Sequence, residues 1–186
     1  MTVSESTITG YRPGHWTIDP VHSSCAFTIR HVMTRVHGSF QTFEGSIVTA
    51  EDPTNSTASA VIDLSSINTG NAQRDKHLRT GDFFDVEATP KMTYTSRAVR
   101  VLDASTIVVE GDLEIRGIRK PVDLQVEVIG FGPDSKGVMR AGFSASAEIN
   151  RRDFGVNWNS VIEGGGFALA DKVSITLDIS AALTDQ

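Results

Sequence analysis

Two segments of this 186-residue chain, MRAGFSASAEI (residues 139–149) and VSITLDISA (residues 173–181), place an apolar residue at every second position. Successive side chains of a β-strand point to opposite faces, so each segment has one apolar face and one polar face. Antiparallel sheets tolerate a solvated face, whereas parallel sheets are usually buried on both faces. Long strands with one apolar face must also close on themselves or pack on a second sheet, because open edges aggregate. The two segments therefore predict an all-β, antiparallel protein.

The same alternation recurs along most of the chain. It covers residues 25–31, 92–96, 107–115 and 122–128. The composition agrees, since the chain has 18 Val, 18 Thr and 14 Ile against 8 Leu, and β-branched side chains favour pleated sheet. Between Phe40 and Ile47 the apolar spacing changes phase, which predicts a bulge or bend near Gln41 and Thr42.

Length and charge narrow the function classes. The chain is long enough for one domain with a sizeable core, and we assign that domain to residues 14–186, after a flexible N-terminal tail at residues 1–13. The net charge of −6 argues against a nucleic-acid partner, which would need a basic surface. No apolar run is long enough for an integral membrane segment. Residues 1–10 lack the pattern of a secretory signal, so the expected location is the cytoplasm.

One helix interrupts the predicted strands. Residues 71–79 have a helical pattern with Gly81 just beyond it, and Phe83 and Phe84 follow. The segment from residue 71 to residue 85 is expected to cover one opening of a barrel, with at least one phenylalanine turned inward. The basic side chains that we expect to hold an anionic headgroup, such as a diphosphate, are Arg74, Lys76 and Arg79. In the alternative interpretation they pair with Asp75, Asp82 and Asp85.

Catalytic and metal-binding patterns are weak. The five histidines show no H-x-x-x-H or H-E-x-x-H spacing, and the single cysteine, Cys25, lies on an apolar strand face where a thiol is usually inert. We therefore predict no catalytic residues, no metal and no cofactor. The alternative is a small hydrolase or isomerase that uses His31 or His77 with a nearby carboxylate.

Several motifs, in order and over about residues 14–182, resemble those of the YceI-like family of polyisoprenoid-binding, lipocalin-like proteins. They are Trp16-x-Ile-Asp-Pro-x-His22-Ser23, Gly38-x-Phe40-x-x-Phe43-x-Gly45, Arg74-Asp75-x-His77-Leu78, Gly111-Asp112-Leu113 and Ile149-Asn150-Arg151-x-Asp153-Phe154-Gly155. The resemblance implies a lipocalin-like barrel of about eight strands, with one short helical insertion and a long apolar cavity. It also implies an extended isoprenoid, prenyl quinone or similar lipid as ligand, and homodimers in some members. Many members are secreted or periplasmic.

These observations predict a protein that carries or sequesters a long apolar ligand. Alternation alone leaves open whether the barrel is hollow or filled, since the apolar face of residues 139–149 is mostly alanine. His31 continues an apolar face, so it is either a core histidine or a polar group near the ligand headgroup. Alternation predicts that the cavity is lined by Phe27, Ile29, Met92, Tyr94, Leu113, Val126, Phe143 and Ile175. The residues predicted to bind the ligand are these eight together with His31, Phe40, Phe43, Phe83 and Phe84.

Overall fold

The structure, a computed structural model, describes residues 8–184. These residues form eleven strands and one α-helix, with three short 3-10 turns at residues 53–55, 64–66 and 151–154. The elements are β1 (Gly14–Ile18), β2 (Ser24–His31), β3 (Thr34–Phe40), β4 (Phe43–Thr49), β5 (Thr57–Asp63), β6 (Ile67–Asn68), α1 (Ala72–Leu78), β7 (Lys91–Val101), β8 (Thr106–Ile115), β9 (Ile118–Pro133), β10 (Met139–Asn150) and β11 (Leu169–Thr184).

The strands close into an antiparallel barrel. Around the ring the order is β1, β4, β5, β7, β8, β9, β10 and β11, and β11 pairs back onto β1. Strands β1 and β2 both pair with β11, one after the other along its length. They are two parts of one barrel strand, as are β3 and β4, which pair with β2 and β1. The prediction of an eight-stranded antiparallel barrel is therefore confirmed, and β3 and β4 separate at residues 41–42, where a break was expected.

The alternation in β10 and β11 places apolar residues opposite each other inside the barrel. Phe143 pairs with Ile179, and Ala145 pairs with Leu177. An inward-facing glycine, Gly38, leaves room for an aromatic ring on the adjacent strand. A Cβ at Gly38 would overlap the ring of Phe27, which lies across it.

The N-terminal segment covers one end of the barrel, here called the tail end. Ile8 is almost fully buried, the Tyr11 hydroxyl donates to the carbonyl of Ala50 at 2.6 Å, and its ring packs edge-on against Phe131. Of the tail predicted at residues 1–13, Ile8 and Tyr11 pack against the barrel, and residues 1–7 lie outside the described residues. Sequence periodicity missed these contacts because they involve isolated side chains.

The opposite end, here called the helix end, contains α1. It is also where the hairpins β2–β3 and β8–β9 turn, and where residues 151–168 connect β10 to β11. Of the helices among residues 8–184, none has the length and apolar character needed to cross a membrane.

Candidate functional site

The barrel is hollow. A cavity of about 730 Å³ runs inside it from the tail end to the helix end. This volume lies in the upper part of the range for small-molecule pockets, roughly 300–1,000 Å³. The eight residues predicted to line the cavity do so, as do the other five residues predicted to bind the ligand. Their contact with a ligand stays a prediction.

The middle of the cavity offers few polar atoms. The Tyr94 hydroxyl donates to the carbonyl of Val122 at 2.8 Å, and burial raises the pKa of this phenol. Burial also raises the pKa of the Cys25 thiol to about 11, so the thiol is neutral near pH 7. No described side-chain N or O atom that is buried lacks a hydrogen-bond partner. The central cavity wall therefore suits an apolar chain.

Polar side chains gather where the cavity reaches the helix end. They are His31, Thr69, Asn71, Gln73, Arg74 and His77. Among the described residues that line the cavity, none is acidic, and the permanently charged side chains are Arg74 and Arg151. Near pH 7 the cavity wall is therefore apolar along most of its length and carries positive charge at one end.

Helix α1 is held against the barrel by side chains at its start. The Asn71 side chain caps the helix by accepting from the backbone N–H of Arg74 at 2.9 Å. The buried Asp75 accepts from both the N–H and the hydroxyl of Thr69, at 2.9 and 2.6 Å. The observed helix thus begins and ends within one residue of the predicted bounds.

Of the three basic residues predicted to hold a headgroup, Lys76 and Arg79 do not line the cavity. The guanidinium of Arg79 donates to the carbonyls of Ser65 at 2.9 Å and Ile67 at 3.4 Å, and so attaches α1 to the barrel. Arg74 does line the cavity, and its Nε and Nη2 donate to Thr69.

The alternative interpretation was that these basic residues pair with Asp75, Asp82 and Asp85. Within residues 8–184 none of these ion pairs forms, because Asp75 accepts from Thr69 and Asp82 contacts His77. Helical spacing places side chains on a face, but it does not show which backbone carbonyls the barrel brings alongside.

Residues 71–86, here called the lid, cover the helix end. Phe83 is buried and Phe84 half-buried, and both line the cavity, as expected for an apolar plug. Arg116, in the β8–β9 turn, donates from Nη1 to the carbonyls of Gly81 at 2.9 Å and Phe83. No local sequence pattern predicts this role for Arg116, because only the closed barrel brings the turn next to residues 81–83.

A buried arginine organises the connection between β10 and β11. Arg151 donates to the carbonyls of Ala170 and Val156 at 2.8 Å and of Trp158 at 2.7 Å. Burial lowers the pKa of this guanidinium. The motif Asn150-Arg151 was visible in the sequence, but its role in fixing Trp158 beside the lid was not.

His77 lies between two aromatic rings of the helix end. Its ring is edge-on to Phe83 and to Trp158, with centroids 5.1 and 4.8 Å away, and its Nε2 is 2.7 Å from the carboxylate of Asp82. His31 is exposed at the cavity opening rather than buried in the core. Within residues 8–184 no three His, Cys, Asp or Glu side chains are grouped so that they could hold a metal ion.

Comparisons with known proteins agree with this architecture. The sequence model of the YceI-like domain family matches residues 16–181. A UPF0312 protein of Photorhabdus laumondii is 38% identical over 135 residues, which make up 72% of this chain and 70% of that protein.

Two solved structures share the fold. BcnA of Burkholderia cenocepacia has a TM-score of 0.76 at 22% identity, with 88% of this chain and 98% of that chain covered. A polyisoprenoid binding domain from Saccharophagus degradans, implicated in plant cell wall breakdown, has a TM-score of 0.69 at 17% identity, with 93% and 100% covered. The barrel and the family match together confirm the resemblance seen in the motifs, and the chain belongs to the YceI-like family.

Proposed function

We propose that this protein binds a lipid with one long apolar chain, of the polyisoprenoid or prenyl quinone type, inside the barrel. The observation that carries the proposal is the cavity of about 730 Å³, apolar along most of its length and with its charged side chains at the helix end. The polyisoprenoid binding domain from Saccharophagus degradans shares the barrel, which adds support at the level of fold. No step of this function needs a catalytic residue.

The size of the barrel favours a long chain. Strand β8 has ten residues, which at about 3.3 Å per residue and a tilt near 40° correspond to a barrel roughly 25 Å tall. This height exceeds the hydrocarbon thickness of one bilayer leaflet, which is about 15 Å. Each CH₂ group taken from water contributes about 0.8 kcal/mol, partly offset by the cost of ordering the chain. Such a cavity selects for chain length and flexibility more than for exact chemistry.

The helix end is the place for a headgroup. Arg74 provides a positive charge there, and His31 and Gln73 provide further hydrogen-bonding atoms. Charge-assisted hydrogen bonds to an anionic oxygen are about twice as strong as neutral ones. We therefore propose that an anionic headgroup, such as a diphosphate, binds beside Arg74 and that the chain extends towards the tail end.

A bulky side chain placed inside the barrel tests whether the lipid chain binds there. In Ala145→Trp the new ring would occupy the cavity from β10, whereas in Ser146→Trp the same ring would point to solvent from the next position. Native mass spectrometry after incubation with a long-chain prenyl alcohol in detergent should show a complex with the wild type and with Ser146→Trp, but not with folded Ala145→Trp. Equal loading of both variants would contradict the proposed site.

A second pair of variants tests the headgroup. Arg74→Gln removes the positive charge at the cavity, while Lys76→Gln removes one on the same helix away from the cavity wall. We expect Arg74→Gln to weaken prenyl diphosphate binding about tenfold, with little change for the alcohol, and Lys76→Gln to change neither. The difference should decrease with added salt. Equal effects of the two variants would refute the role of Arg74.

The alternative of a small hydrolase or isomerase rests on the contact between His77 and Asp82. Within the described residues, neither the His77 imidazole nor the Asp82 carboxylate hydrogen-bonds to a Ser, Thr or Cys side chain that could serve as a nucleophile; the Thr80 hydroxyl donates instead to the backbone carbonyl of His77. His31 makes no hydrogen bond to a carboxylate there either. Ester hydrolysis that His77→Asn abolishes, without loss of lipid binding, would favour the enzyme over the carrier.

A further inference from the structure

Exposed apolar side chains cluster around the helix end. Met33, Val161 and Phe167 are 88%, 74% and 62% exposed, and Val32 and Trp158 are exposed beside them. We call these five residues the apolar rim. Soluble proteins often expose single apolar residues, but a contiguous group usually marks an interaction surface.

The apolar rim is continuous with the cavity opening. The N–H of Val32 donates to the carbonyl of Ala168 at 2.7 Å, which joins the β2–β3 turn to the loop that carries Val161 and Phe167. The ring of Trp158 packs on His77 of the lid. A surface seated on the rim would therefore face the opening of the cavity.

Val32 occupies its place against the backbone preference of valine. Its φ is 54°, in the left-handed region that glycine adopts freely and β-branched residues avoid. A glycine or asparagine would turn the β2–β3 hairpin with less strain. An exposed apolar side chain is thus held at the tip of the hairpin at some conformational cost.

The same hairpin concentrates positive charge. Arg30 pairs directly with Arg35 across β2 and β3, both side chains are exposed, and neither has a salt bridge within residues 8–184. Like charges in this position repel each other. In residues 155–168 the only acidic residue is Glu163. The tip is therefore basic in a chain whose net charge is −6.

We infer that the apolar rim and this arginine pair dock the protein on the surface of an anionic lipid bilayer, with the cavity opening facing the lipids. Apolar tips that enter the interface beside basic residues are a recurrent design for reversible membrane binding. This inference rests on the proposed function, because a water-insoluble chain must pass between bilayer and cavity without crossing water.

The chain contains its own reporter for docking. Its two tryptophans are Trp158, in the apolar rim, and Trp16, which is 1% exposed near the tail end. Vesicles of phosphatidylcholine with phosphatidylglycerol should shift the emission of Trp158 to shorter wavelength and should co-sediment with the protein. Vesicles of pure phosphatidylcholine should do so less, and added salt should reduce binding.

Matched variants locate the surface. Met33→Glu should weaken vesicle binding by more than about tenfold, and Arg30→Gln with Arg35→Gln should weaken it by about fivefold for each charge removed. Ile129→Glu changes an equally apolar residue, 63% exposed on β9 away from the rim, and should leave binding unchanged.

Loading from detergent separates this inference from the proposed function. Met33→Glu should take up prenyl alcohol from detergent like the wild type but fail to take it up from vesicles, whereas Ala145→Trp should dock without loading. The inference is overturned if anionic vesicles leave Trp158 emission unchanged, if Ile129→Glu weakens binding as much as Met33→Glu, or if sedimentation shows that a second copy of the chain covers the rim.

Discussion

Replacing Arg116 with methionine should loosen the lid without unfolding the barrel. Methionine keeps an aliphatic stem at this position, but it removes the guanidinium that donates to the carbonyls of Gly81 and Phe83. The backbone φ of 55° at Arg116 is as unfavourable for methionine as for arginine, so the turn itself is unaffected.

The expected free-energy change for lid opening follows from these two hydrogen bonds. A hydrogen bond from a charged donor contributes about 1.5–3 kcal/mol, and part of that is lost here because the first contact is exposed to solvent. A total near 2 kcal/mol corresponds to roughly a thirtyfold increase in the population of the open lid. The barrel strands keep all of their ladder hydrogen bonds, so the unfolding midpoint in urea should decrease only slightly.

Amide hydrogen exchange measures this effect directly. The N–H groups of Phe84, Asp85 and Val86 are bonded to carbonyls within the lid, so their exchange reports lid opening. We expect exchange about thirtyfold faster in Arg116→Met and unchanged in Arg119→Met, a control whose exposed ion pair lies in the same hairpin. Unchanged exchange in Arg116→Met, or equal acceleration in both variants, would refute the anchoring role.

Three further outcomes are expected. Gly111→Ala should lower the free energy of unfolding in urea by about 3 kcal/mol, because its Cβ would lie 2.7 Å from a backbone carbonyl oxygen of β7. Gly130→Ala, with open space around the new Cβ, should leave the free energy of unfolding nearly unchanged. Hydrogen bonds from His22 and Arg140 lower the pKa of Asp19 in the folded protein. Its stabilising contribution is therefore present above the unfolded pKa near 3.9 and is lost as the pH falls towards the folded pKa. In Asp19→Asn the unfolding midpoint should depend less on pH over this acidic range. Cys25, whose pKa is raised to about 11, should react with iodoacetamide at pH 8 about a hundredfold more slowly than in urea.

Much of the fold follows from local pattern. Alternation of apolar and polar residues in β10 and β11 reports which side of each strand is buried, and the phase change after Phe40 reports where β3 gives way to β4. The helix was predictable because its capping residue and the glycine beyond its end are local signals. Eight cavity-lining residues were identifiable from the same alternation, since each lies on the apolar face of its strand.

Other features depend on which segments the closed barrel brings together. Small residues such as Ala145 are compatible with a filled or a hollow interior, and only the diameter set by eight paired strands leaves the central volume open. The carbonyls that accept from Arg116 and Arg79 lie 35 and 14 residues away in the sequence, so no local sequence pattern predicts these hydrogen bonds. Side-chain periodicity records the direction of burial along one element, whereas a hydrogen bond between distant segments depends on the register and closure of the whole sheet.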